Sequence, residues 1–170
     1  MCVVLAVAGC TPSVPLPAPS VSPPAVSATP AAVRRCETAT TIGGAVAPSS
    51  LPATGEVTFL PLDYSFGAPI DGRRGPDDSG FSYFKVPVRL RSGAEATVSV
   101  PAAYRDRAKL TYHDRNPHTV SFRACGSAGG ATHSDFAGGF AVRPPVCLPV
   151  DVTSDGRSIR VRLEFGVGAC

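Results

Sequence analysis

The chain has 170 residues, sixteen basic against thirteen acidic, for a formal net charge of +3. Acidic and basic residues interleave, as in Arg105-Asp106-Arg107 and Asp114-Arg115, so the sequence lacks the basic stripe that nucleic acid requires. No apolar run is long enough for a transmembrane helix.

Residues 1–33 carry no charge; every Asp, Glu, Lys and Arg lies in 34–170. Within the uncharged part, an apolar run from Val3 ends in Val7-Ala8-Gly9-Cys10. This stretch resembles the lipobox of bacterial lipoproteins. The resemblance implies a signal peptide over 1–9, removed by a peptidase that needs small residues before its cut, here Ala8 and Gly9. It further implies that the Cys10 thiol carries a diacylglycerol whose buried methylenes hold the protein at the membrane, at about 0.8 kcal/mol each. The expected location is the outer, extracytoplasmic face of the cytoplasmic membrane. Arg outnumbers Lys fourteen to two, which with abundant Ala, Gly, Pro and Val points to a high-GC bacterial genome of the actinobacterial kind.

Residues 10–35 then read as the lipidated Cys10 followed by a disordered linker. Seven prolines fall in 11–33, at 12, 15, 17, 19, 23, 24 and 30, with Ser, Ala, Thr and Val between them. Such a segment buries no core and favours an extended polyproline-II form, at roughly 3.1 Å per residue. Its expected job is to space a domain from the membrane.

Residues 36–170 form one domain of a common size with a single core. Apolar and polar residues alternate in Val86–Leu90, Ala96–Val100, Val120–Ala124 and Ile159–Phe165. Period two with one charged face predicts half-buried antiparallel strands. Further strands are expected at 56–62, 109–113, 136–142 and 147–153, and a helical turn at most over Pro101–Arg107. Asp155-Gly156 is a favoured two-residue hairpin turn of type I′. It pairs Ser154 with Arg157, Val152 with Ile159, Val150 with Val161 and Leu148 with Leu163, and sets Cys147 opposite Glu164. The predicted fold is an all-β, disulfide-stapled antiparallel sandwich, with an immunoglobulin-like form as one version of it. The usual Ig Trp is absent, so the expectation is of architecture and not of family.

Beyond Cys2 and Cys10, four cysteines remain: Cys36, Cys125, Cys147 and Cys170. An even count in an exported domain predicts two disulfides. With Cys147 opposite Glu164, Cys170 lies six residues further on, roughly 20 Å away at strand rise, which disfavours Cys147–Cys170 unless the chain folds back at Gly166 and Gly168. The expected pairs are Cys125–Cys147 and Cys36–Cys170, with Cys36–Cys147 and Cys125–Cys170 as the alternative.

Chemistry-bearing residues are few. His113, His118 and His133 allow a three-histidine metal site on composition, but no CxxC pair or cupredoxin pattern accompanies them. His133-Ser134-Asp135 holds the three residue types of a hydrolase triad, yet adjacent residues cannot converge as one. Gly126–Gly130 lacks the Lys of a phosphate-binding loop, and Asp71, Asp77 and Asp78 share their stretch with Arg73 and Arg74. Gly138-Gly139, within Phe136–Pro145, signals a bulge or a close backbone approach. Tyr104, Tyr112, Arg105 and Arg107 are residue types found at binding hot spots. The expectation is a lipid-anchored binding or structural module of the envelope, with no catalytic residue, metal or cofactor. Its partners would be the membrane, through the anchor, and an envelope protein or polymer; nucleic acid is not expected. An envelope-acting hydrolase or transferase and a histidine-based metal carrier are the alternatives.

Overall fold

The computed structural model describes residues 32–40, 51–60, 77–127, 130–144 and 146–165. Twelve strands are formed among these residues, and two single-turn 3-10 segments, Cys36–Thr38 and Ala102–Tyr104. The second falls within the helical turn expected after Pro101.

The first layer is a five-stranded sheet. It holds β1 (Ala32–Arg34), β6 (Glu95–Ser99), β8 (Thr119–Arg123), β11 (Val146–Ser154) and β12 (Arg157–Phe165), in the order β1-β8-β6-β11-β12. The β11–β12 hairpin has the register read from the sequence: Ser154 faces Arg157, Leu148 faces Leu163 and Cys147 faces Glu164. Asp155 and Gly156 both have positive φ, 49° and 71°, as a type I′ turn demands. Pro149 sits inside β11, although proline cannot donate to a ladder. It is tolerated because β6 pairs with β11 only from Asp151 to Ser154, so no β6 partner stands beside Pro149.

The second layer comprises β2 (Leu51–Pro52), β3 (Val57–Phe59), β4 (Ser82–Lys85), β5 (Val88–Arg91), β7 (Ala108–Leu110), β9 (His133–Phe136) and β10 (Gly139–Val142). These form two sheets, β2-β3-β5-β9 and β4-β10-β7. One register runs through both: Val88 faces Phe136 in one, and Lys85 faces Gly139 in the other. The Val86 amide donates to the Gly138 carbonyl at 3.0 Å across the join. The two sheets therefore continue one another as a single layer bent at Val86-Pro87. The strand expected at 136–142 is divided at this bend.

Both layers drain their apolar faces into one core. Phe122 of the first layer meets Phe136 of the second with ring centroids 5.2 Å apart, and Phe165 meets Phe84 at 4.8 Å. The fold is thus an all-β sandwich, antiparallel except at one place among the described residues. There β1 runs parallel to β8, with Val33 opposite Ser121. Ala32–Arg34 lies inside the stretch read as linker, so the folded part starts ahead of residue 36.

That parallel pair corrects the cysteine pairing. Parallel strands bring their ends together, so the residues just after β1 and β8 become neighbours. Cys36 is bonded to Cys125, with Cα atoms 4.7 Å apart. This bond excludes Cys125–Cys147 with Cys36–Cys170, and also Cys36–Cys147 with Cys125–Cys170. Cys147 is disulfide-bonded as well; Cys170, like Cys10 and the whole of 1–31, lies outside the described residues.

Candidate functional site

The polar centre of the second layer is built where β5 meets β9. Their register sets Arg89 opposite Asp135, on the face turned away from the core. Arg89 grips the carboxylate with two donors, Nε to Oδ1 at 2.7 Å and Nη2 to Oδ2 at 2.8 Å. The Asp135 side chain is wholly buried and that of Arg89 nearly so, at 0% and 15% exposed. The hydrogen bond to Asp135 holds the Arg89 guanidinium above its ordinary pKa, against a smaller opposing effect of burial.

His133 lies two residues back along β9, on the same face as Asp135. Its Nε2 is 4.0 Å from Asp135 Oδ2, and its Nδ1 is 3.0 Å from the Thr132 hydroxyl. Strand alternation sends Ser134 the other way. That side chain is buried, and its hydroxyl accepts from the Cys125 amide at 2.8 Å. His133, Ser134 and Asp135 therefore do not converge. The N-terminal segment closes the edge of β9, where the Thr40 amide donates to the Asp135 carbonyl at 2.8 Å. A cleft of about 290 Å³ opens here, lined by Thr40, Gly130, Ala131, Thr132, His133 and Asp135.

Segment 32–40 thus ties the two layers together. It pairs with β8 in the first, is bonded through Cys36 to Cys125, and bridges to β9 in the second. Ser134 fixes Cys125 to β9 from the other side.

The other histidines stand elsewhere. The His113 Nδ1 lies 3.4 Å from the Arg115 amide. The His118 Nε2 lies 3.0 Å from the Arg105 carbonyl, and burial lowers its pKa, partly offset by that carbonyl. Among the described residues, no group of three or more His, Cys, Asp or Glu is placed to hold a metal ion. Asp77 closes its own turn: Oδ1 accepts from the Ser79 and Phe81 amides, and Oδ2 from the Tyr83 hydroxyl. Asp71, Arg73 and Arg74 lie outside the described residues.

Gly138 and Gly139 mark a close approach, as their pairing in a strand implied. A Cβ on Gly138 would stand 2.3 Å from Tyr112 Cδ1, and one on Gly139 1.9 Å from the Phe84 carbonyl oxygen. Tyr112 is not a surface residue. Its ring is buried, its hydroxyl donates to the Val86 carbonyl, and burial holds its pKa well above the ordinary value. Tyr104 is partly buried against the core, while Arg105 and Arg107 are exposed.

The Arg89–Asp135 pair was the centre that sequence reading missed. Its two signals were an Arg on the charged face of an alternating strand and the Asp that follows His133-Ser134. Only the strand at His133–Phe136 brings them together. Comparison of the chain with protein-family models, with curated proteins and with solved structures found no match in any of the three.

Proposed function

We infer that this is an exported, lipid-anchored binding module of the bacterial envelope, tethered through Cys10 and a proline-rich stalk. The observation that carries the reading is the Cys36–Cys125 bond, whose ends lie 89 residues apart. Disulfides persist in oxidising, extracytoplasmic compartments, and the lipobox-like Val7–Cys10 supplies a route there. The position of the bond also suits a tether. It lies at the root of the domain, so a pull arriving along the stalk meets a covalent cross-link after only three paired residues of β1.

The test is the intact mass of the protein from the membrane fraction of its host, measured without reductant. A species that starts at Cys10, carries a diacylglycerol and lacks four hydrogens is the expected result. An unprocessed, fully reduced chain in the cytosol would sink the reading.

A further inference from the structure

The outer face of the second layer carries a second polar feature, at the opposite end of its strands from Asp135. The β4-β10-β7 register sets Tyr83, Ala141 and Lys109 in one row. The Arg143 amide donates to the Arg107 carbonyl at 2.9 Å, which adds Arg107 and Arg143 in the next row. Lys85 faces Gly139 in the row on the other side. Alternate residues Phe84, Ala108, Leu110, Phe140 and Val142 are buried in the core, so these rows face outward.

Phe81 precedes β4 and is 4% exposed although it stands on this outer face. Two cations cover it. Lys109 Nζ and the Arg143 guanidinium each lie 4.6 Å from the Phe81 ring centroid, a geometry that holds a cation over the face of a ring. Arg143 Nε also donates to the Ser79 carbonyl at 3.2 Å. Lys85 and Lys109 are the only two lysines in the chain, and both are here. Among the described residues, no carboxylate is within ion-pair distance of Lys85, Lys109 or Arg143. Asp77, which precedes β4, is engaged with Ser79, Phe81 and Tyr83.

We propose that this face binds a linear anionic polymer of the envelope, a phosphodiester chain, laid across Lys85, Lys109 and Arg143 beside the exposed Tyr83. By this register Lys109 and Arg143 lie one strand and two residues apart, and Lys85 lies two strands and two residues from Lys109, so the Cα atoms of the three cations are about 8–14 Å apart. Such an array meets a chain of anions better than a single small anion, which occupies one or two of them. The tether proposed above favours polymer over lipid headgroups, since the 21 residues from Thr11 to Ala31 would reach about 65 Å if extended at polyproline rise. The proposal deepens the binding-module reading by naming the partner. It rests on that reading only for where the polymer is met.

The experiment is binding of the purified chain to synthetic poly(glycerol phosphate), with duplex DNA and phosphatidylglycerol vesicles alongside. The K85E/K109E variant is compared with R157E/R162E, which reverses two charges on β12 instead. Expected are polymer binding that weakens as salt rises, a loss of tenfold or more in K85E/K109E, and less than threefold in R157E/R162E. Thermal melting shows whether K85E/K109E still folds; if it does not, K85Q/K109Q is read in its place. No polymer binding at low salt, equal losses in both variants, or tighter binding to DNA or vesicles would each overturn the proposal. Those results leave the anchor untouched, since the intact mass decides it separately.

Discussion

Tyr112 packs on Gly138 so closely that any side chain at residue 138 would collide with it. A Cβ there would come within 2.8 Å of the Tyr112 Cα as well as striking its ring. The backbone adds its own demand, because Gly138 has φ of +148°. The contact fixes the join between the two sheets of the second layer. The Tyr112 hydroxyl takes the Val86 carbonyl, and the Gly138 carbonyl takes the Val86 amide.

Gly138→Ala is therefore expected to destabilise the domain by about 2–4 kcal/mol, from steric overlap together with backbone strain. Urea unfolding followed by circular dichroism measures this. Gly139→Ala meets the Phe84 carbonyl, which is backbone and cannot swing aside, so it should cost at least as much. A loss under 1 kcal/mol in both would show that the join is not held by this approach.

Breaking the Arg89–Asp135 pair from one side leaves a cation that is 15% exposed without its counter-charge. Asp135→Ala should cost about 3–5 kcal/mol, whereas the paired replacement Arg89→Met with Asp135→Leu should cost much less. Unfolding free energies of the two variants against the unaltered protein read the difference. If the double variant proves as unstable as Asp135→Ala, the ion pair is not the source of the loss.

These two centres show what the sequence made legible. Alternation in Ile159–Phe165 fell within β12, whereas that in Val86–Leu90 reached β5 but ran across the bend at Val86-Pro87; alternation marks which residues face the core and not where a strand breaks. The Asp155-Gly156 turn placed a full hairpin, since two positive-φ residues leave one register open. Partners brought together by tertiary structure were not legible. Arg89 and Asp135 meet only once β5 and β9 pair, 46 residues apart. Residues 32–34 pair in parallel with β8, and three residues where the uncharged, proline-rich tract gives way to Arg34 carry no period. Missing that strand misplaced Cys36, and with it both disulfides.

His118 gives a pH dependence with a definite sign. Burial lowers its folded pKa below the ordinary imidazole value, so the folded state favours the neutral ring. The contribution to stability is complete above the unfolded value. It falls away as the pH drops from there towards the lowered folded value, because the unfolded chain takes up the proton first. Unfolding free energy should therefore begin to decline as the pH falls through the ordinary imidazole range, about 6.5, and His118→Gln should flatten that decline. An identical profile in the variant would remove His118 as its cause.

The last prediction concerns Cys147. It is disulfide-bonded, and the Cys36–Cys125 bond has taken two of the four cysteines in 36–170. Cys170 is the remaining one, so non-reducing peptide mapping is expected to find Cys147 joined to Cys170. The β11–β12 register stands, with Cys147 opposite Glu164. The mapped bond would therefore mean that the chain turns back after Phe165, at the glycines 166 and 168, instead of running on as strand. The other candidates are Cys2 and Cys10, and they carry a different consequence. A bond from Cys147 to Cys10 would occupy the thiol that the lipid needs, and would end the lipoprotein reading. Cys36→Ser with Cys125→Ser separates the two bonds energetically. Loss of a cross-link closing about 90 residues should cost about 4–5 kcal/mol by loop entropy, with the Cys147 peptide unchanged. Scrambling of Cys147 in that variant would mean that the Cys36–Cys125 bond also guides its pairing.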